Sequence, residues 1–88
     1  MKILLLNGPN LQLLGERETD IYGPHTLEDC TGRIKHYAES LEVQLEARQS
    51  NSEGELVQWI GDAPQAFDGV IINPAAYTHT SIAIRDAI

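Results

Sequence analysis

Positive charge is scarce in this chain: six Lys plus Arg stand against thirteen Asp plus Glu, giving a formal net charge of −7. No stripe of basic side chains is available to neutralise a phosphate backbone, which sets nucleic acid aside as a partner. The acidity speaks for solubility. Cysteine is nearly missing as well. Cys30 cannot close an internal disulfide, and it falls on the apolar stripe of a predicted helix, where a small buried hydrophobe is expected. Long hydrophobic runs are lacking too. After Met1-Lys2 come only residues 3–6 before Asn7-Gly8-Pro9 interrupts, shorter than a signal-peptide core of about 7–15 residues. No membrane association and a cytoplasmic location are therefore expected.

Chemical equipment of several kinds is missing in turn. His25, His36 and His79 occur at no metal-ligand spacing, and no Cys/His cluster accompanies them. Lys2 and Lys35 are the lysines, one at a strand edge and one on a polar helix face, so neither is placed for Schiff-base chemistry. No Gly-x-Gly-x-x-Gly or Walker loop follows a strand, and a nucleotide cofactor finds no support. The expectation is a protein with no cofactor.

What is present fits one globular domain over residues 1–88, with 42% hydrophobic content. Residues 2–6 form a nearly unbroken apolar run, the mark of a strand covered on both faces. Residues 7–25 show neither helical nor strand period and read as a long loop, of the kind that serves as a functional lid. From Thr26 the residues Leu27, Cys30, Ile34, Ala38 and Leu41 recur at three- and four-residue steps, an amphipathic helix capped by Thr26 with Asp29 in its first turn. Gly32 weakens its middle by about 1 kcal/mol relative to alanine.

Residues 43–47 alternate with period two, as a strand near a sheet edge would. Ser52 opens a second helix with Glu53 and Glu55 in its first turn, closing near Gly61 and Pro64. Residues 69–72 form the third strand. Residues 80–88 begin a third helix, with Thr78 or Thr80 available as its cap. The order is β-loop-α-β-α-β-α, an α/β parallel sheet. Three strands leave sheet and helix faces uncovered, so the chain is expected to be the N-terminal part of a larger domain.

In open α/β sheets ligands bind beyond the carboxyl ends of the strands, and two strands here end in polar groups. One is Asn7-Gly8-Pro9-Asn10, the other Asn73 through His79. Asn10 and Asn73 can each donate to a substrate oxygen or to a water beside a developing enolate. Turn chemistry is the alternative for both, since Asn beside Pro is a common loop choice. Arg17 and Tyr22 lie between Gly15 and Gly23, which would act as lid hinges. A guanidinium beside a phenol favours the phenolate, so the pair can abstract a proton; a packed turn tyrosine and a solvated arginine are the alternative. His79 sits at a helix start, where N–H groups face anions; an exposed first-turn histidine is the other possibility.

The motif Asn7-Gly8-Pro9-Asn10-Leu11-Gln12-Leu13-Leu14-Gly15, then Arg17, Ile21-Tyr22-Gly23 and Asn73-Pro74-Ala75-Ala76-Tyr77-Thr78-His79-Thr80-Ser81, resembles type II 3-dehydroquinate dehydratase along the whole chain. The resemblance implies a flavodoxin-like three-layer fold, continuing past the third βα unit, and a dodecamer built from trimers. It also implies removal of water from 3-dehydroquinate to give 3-dehydroshikimate, in the shikimate pathway or in quinate catabolism, with neither metal nor imine. By resemblance Tyr22 would take a proton from the carbon next to the ketone, Arg17 would lower its pKa, and Asn10 would hold the water that stabilises the enolate. Asn73 and His79 would bind substrate, and Asp86 would reach the site of a neighbouring subunit.

Departures from that family are also visible. Gln12 and Thr19 stand where the family commonly shows Asn and Pro. The family's general acid is a histidine on a later strand, followed by an Ile-Ser segment and a further arginine, with no counterpart before Ile88. Two other readings therefore stand beside the enzyme. One is a flavodoxin-like module in which Gly8 to Asn10 cradle a phosphate or a flavin; the other is an inactive truncated form.

Overall fold

The apolar run that follows Met1 becomes the central strand β1 (Lys2–Asn7), in which Leu4 and Leu6 are fully buried and Leu5 nearly so. Burial on both faces is what an unalternated strand requires. The computed structural model describes residues 1–13, 25–75 and 81–88. On either side of β1 lie β2 (Gln44–Gln49) and β3 (Gly69–Asn73), both parallel to it, in the order β2-β1-β3. This order opens the flavodoxin-like sheet that the resemblance implies. Registers pair Asn7 with Gln49 on one side and with Asn73 on the other, so the three strands finish level.

Among the described residues three α-helices cover the two faces: α1 (Leu27–Ser40), α2 (Glu53–Asp62) and α3 (Ile82–Ala87). Leu4 and Leu6 point to the α2/α3 side and pack with Leu56, Ile60, Ala63 and Ile84; Trp59, Phe67 and Ile72 close the margin of this core. At about 1.5–3 kcal/mol per buried aliphatic side chain, this cluster is the main stabilising element. Neighbouring strand positions alternate in facing, so Leu5, Asn7, Ala47, Gln49 and Ile71 look toward the α1 side. The result is three layers.

Local signals decide the helix starts. Thr26 Oγ1 accepts from the Asp29 N–H at 3.0 Å while Asp29 Oδ2 accepts from the Thr26 N–H at 3.1 Å, a complete capping box. The Thr26 backbone N–H, followed by the Thr26 side chain, holds the Asp29 carboxyl below its ordinary pKa. Ser52 caps α2 by accepting from Glu55 N–H at 3.2 Å. For α3 the cap is Ser81, whose Oγ accepts from Ile84 N–H at 2.9 Å, rather than Thr78 or Thr80. Both threonines lie outside the described residues, and the helix begins one residue later than a Thr80 cap would set it and three later than a Thr78 cap would.

Several expectations need correction. The α1 stripe is less buried than its period implies: only Ala38 is buried, Leu27 and Cys30 are half-buried, and Ile34 and Leu41 are exposed. Among the described elements α1 packs against β2 and the turn at Leu11–Leu13, so its outer rows meet no opposing surface. The second strand runs two residues beyond Ala47. Arg48 explains this, since its Nε donates to Glu46 Oε2 at 2.7 Å and its guanidinium lies 5.4 Å from the Trp59 ring centre. The loop after β1 begins with a 3₁₀ turn at Leu11–Leu13 instead of being structureless throughout. Among the described residues no helix is long and apolar enough to cross a membrane.

Candidate active site

Because the strands are parallel and end level, their polar termini gather at one edge. Strand order reverses on the two sides of β1, and the crevice at such a switch point is where open α/β sheets place ligands. The closest approach is between the ends of β1 and β3. The Gly8 N–H donates to Asn73 O at 2.8 Å, and a Cβ on Gly8 would stand 2.5 Å from Pro74 O and 2.7 Å from Pro74 C. Only glycine fits there without displacing backbone.

Asn10 and Asn73, both read from the sequence as site residues, are thus brought to one rim. Asn10 adopts φ 66°, its N–H donates to Asn51 Oδ1 at 2.8 Å, and its carbonyl accepts from Leu13 N–H at 3.0 Å. Asn73 forms an Asx turn in which Oδ1 accepts from Ala75 N–H at 3.1 Å, and Ala75 takes φ 52°. Asparagine tolerates the left-handed region; alanine rarely does. Two left-handed residues beside paired strand ends are local strain of the kind concentrated at functional sites.

Asp86 is placed on α3 and exposed, without a hydrogen bond or ion pair to Asn10 or Asn73. Arg17, Tyr22 and His79, with the hinge glycines Gly15 and Gly23, lie outside the described residues. Among the described residues no group of three His, Cys, Asp or Glu gathers to hold a metal ion.

The sequence reading missed the third strand end. Gln49 projects its Nε2 toward Gly8 O at 3.1 Å, Gln12 Oε1 at 3.0 Å and Asn51 Oδ1 at 3.1 Å. Ser50 N–H donates to Asn7 O at 3.0 Å, and Ser52 N–H to Ser50 Oγ at 2.9 Å. Asn7, buried with only 7% of its surface exposed, stands between Gln49 and Asn73 and lines a cleft of about 440 Å³ with Thr31, Lys35 and Gln49. The signal was available: in a parallel sheet all carboxyl ends share one edge, so Gln49-Ser50-Asn51 belongs with Asn7–Asn10.

This geometry counts against a phosphate cradle at Gly8-Pro9-Asn10. Anion nests need free backbone N–H groups. Here the Gly8 N–H is taken by Asn73, the Asn10 N–H by Asn51, and Pro9 has none. The rim instead offers side-chain amides, groups suited to hydroxyl, carbonyl and water ligands.

The family described as dehydroquinase class II matches residues 1–88. The chain is similar to the 3-dehydroquinate dehydratase of Geotalea daltonii, 58% identical over 88 residues that make up 100% of this chain and 61% of the relative. It is also similar to the catabolic 3-dehydroquinase of Verticillium alfalfae, 58% identical over 87 residues, 99% of this chain and 58% of the relative. Among solved structures, the type II dehydroquinase of Butyrivibrio crossotus superposes with a TM-score of 0.94 at 49% identity, covering 99% of this chain and 61% of that one. The chain therefore spans about three-fifths of the length of these relatives.

Proposed function

This chain belongs to the class II dehydroquinase family, and from that membership we propose that the protein carrying it is a hydro-lyase that converts 3-dehydroquinate to 3-dehydroshikimate. The carrying observation is the amide rim at the β1/β3 switch point, where Asn10 and Asn73 flank Gly8, a position that cannot accept a side chain without displacing backbone. Tyr22, as phenolate beside Arg17, takes the proton from the carbon next to the ketone, leaving an enolate. Asn10 holds the water that stabilises the enolate oxygen, a preorganised donor where charge develops. Loss of the hydroxyl as water then yields the conjugated enone, which requires an acid to protonate the leaving group.

That acid is a histidine supplied from outside residues 1–88, and His79 is not promoted to the task. Asn73 and His79 bind the hydroxyl and carboxylate groups of the substrate, and Asp86 serves the site of a neighbouring subunit in a dodecamer of trimers. The protein works in the cytoplasm, independent of cofactor, membrane and nucleic acid. Relatives carry both plain and catabolic names, and either pathway setting suits the same chemistry.

The test is the ultraviolet absorbance of the enone, followed after mixing 3-dehydroquinate with residues 1–88 and, separately, with the chain continued to the length of its relatives. Activity in the longer form, absent in the shorter, is expected. Tyr22→Phe in the active form should abolish turnover while substrate binding stays measurable; unchanged turnover would remove Tyr22 as the base.

A further inference from the structure

We infer that Gln49, at the carboxyl end of β2, is a positioning residue that fixes the Asn10 turn through Asn51 and Gln12. The inference rests on the reading of Asn10 as a site residue and adds to it the device that holds Asn10 in place. Gln49 Nε2 has three oxygens within 3.0–3.1 Å: Gly8 O, Gln12 Oε1 and Asn51 Oδ1. With two hydrogens it shares itself among them, tying the backbone before Asn10 and the side chain after it to the same strand. Asn51 Oδ1 completes the clamp by also accepting from Asn10 N–H at 2.8 Å.

The peptide groups on both sides of Asn10 are therefore fixed, one by Asn51 and one by Leu13. This matters because Asn10 sits at φ 66°, a conformation that an unrestrained turn leaves readily. Gln49 and Asn51 lie 41 positions from Gly8 and Asn10 in sequence, so the restraint is imposed by the sheet register and not by the turn. Functional groups held by packed strands are positioned more tightly than groups on loops.

Glutamine is the residue type this place requires. Leucine of similar size would leave Gly8 O and Gln12 Oε1 without their donor, and glutamate would turn a carboxylate toward three oxygens. Gln12 supplies the outer acceptor. Asparagine at that position would draw the oxygen back by about one carbon–carbon bond, ~1.5 Å. Gln12, one of the residues by which this chain departs from its resemblance, is thus long enough to meet Gln49.

The experiment compares kcat and KM for 3-dehydroquinate in the active protein and in Gln49→Leu, Asn10→Gly and the double variant, with amide hydrogen exchange at residue 10 measured by NMR. Asn10→Gly removes the carboxamide but keeps the left-handed turn accessible. Gln49→Leu should lower kcat about tenfold with KM within about twofold, as expected for the loss of roughly one well-formed hydrogen bond's worth of positioning. Exchange at Asn10 should accelerate by about tenfold in the same variant. The double variant should be no slower than Asn10→Gly alone, because Gln49 acts through Asn10.

Gln12→Asn, a change at an exposed side chain, provides the same test if Gln49→Leu does not fold: kcat should fall about twofold to threefold. Independent, multiplying losses in the double variant, or unchanged exchange at Asn10 in Gln49→Leu, would overturn the clamp. A parental kcat in Asn10→Gly would overturn the assignment of Asn10 instead, and the exchange rates would still decide the clamp.

Discussion

Gly8→Ala isolates the contact on which the candidate site is built. The added Cβ would stand 2.5 Å from Pro74 O, where ordinary contact begins at 3.4 Å, so that carbonyl must retreat by about 0.9 Å. Pro74 C at 2.7 Å and Asn73 O at 3.1 Å block the same direction, and all three obstacles are backbone atoms that no rotamer change can clear. Retreat also pulls Asn73 O away from the Gly8 N–H that it accepts at 2.8 Å. Overpacking of this kind costs about 1–3 kcal/mol, and the hydrogen bond adds roughly 1 kcal/mol, for a loss of about 2–4 kcal/mol. In a domain of this size each kcal/mol moves the thermal midpoint by about 4–8 °C, so a drop of roughly 8–32 °C is expected. Gly32→Ala is the matched control. A Cβ there meets nothing within 4 Å, inside α1, and should stabilise by up to about 1 kcal/mol. Melting followed by circular dichroism reads both variants. A Gly8→Ala midpoint within about 3 °C of the parent would refute the claim that β1 and β3 close on each other at this point.

Two further predictions concern the frame around the site. Leu56→Ala removes a fully buried side chain from the α2/α3 core and should cost about 2–5 kcal/mol in denaturant titration; a loss below about 1 kcal/mol would mean the cluster is not the main core. The capping box gives a pH dependence with a definite sign. The folded state holds the Asp29 carboxyl below its ordinary value, so its stabilisation is present above the unfolded pKa of about 3.9 and is lost as pH falls through the lower folded value. The excess melting temperature of the parent over Asp29→Ala should accordingly shrink between about pH 5 and pH 2.5, and an excess constant across that range would contradict the cap as the cause.

How far the sequence could be read depended on whether a feature was local. Strands β1 and β3 announced themselves as apolar runs, and Thr26 and Ser52 as caps, because each depends on a few adjacent residues. Ser81 was passed over because two threonines just before it carry the same capping chemistry, and only the helix start separates them. The α1 stripe shows the opposite limit. Its period gives the direction in which Leu27, Cys30, Ile34, Ala38 and Leu41 face, but whether each is covered depends on what lies opposite, and only Ala38 is buried. Gln49 and Asn51 fell between the strand read over residues 43–47 and the helix opened by Ser52, where no local pattern marks them. Their part appears only when parallel register sets Gln49 beside Asn7.

The same register explains why the polar strand ends gather at this edge, the one proposed above as the site. A parallel sheet orders its strands so that three chain reversals meet at one end, each needing its backbone hydrogen bonds satisfied within a crowded space. Here they satisfy one another: Gly8 with Asn73, Ser50 with Asn7, Asn10 with Asn51. Backbone donors are thereby consumed in joining the strand ends, and the polar groups that face outward are side chains held on that joined frame. Such a rim discriminates by the placement of a few amides, so substrate recognition rests on geometry more than on net charge. A rim of that kind needs no broad basic surface, in keeping with a formal net charge of −7. The strained turns at Asn10 and Ala75 fit this economy, since a left-handed residue redirects the chain within one position and leaves the neighbouring side chains at the mouth of the crevice.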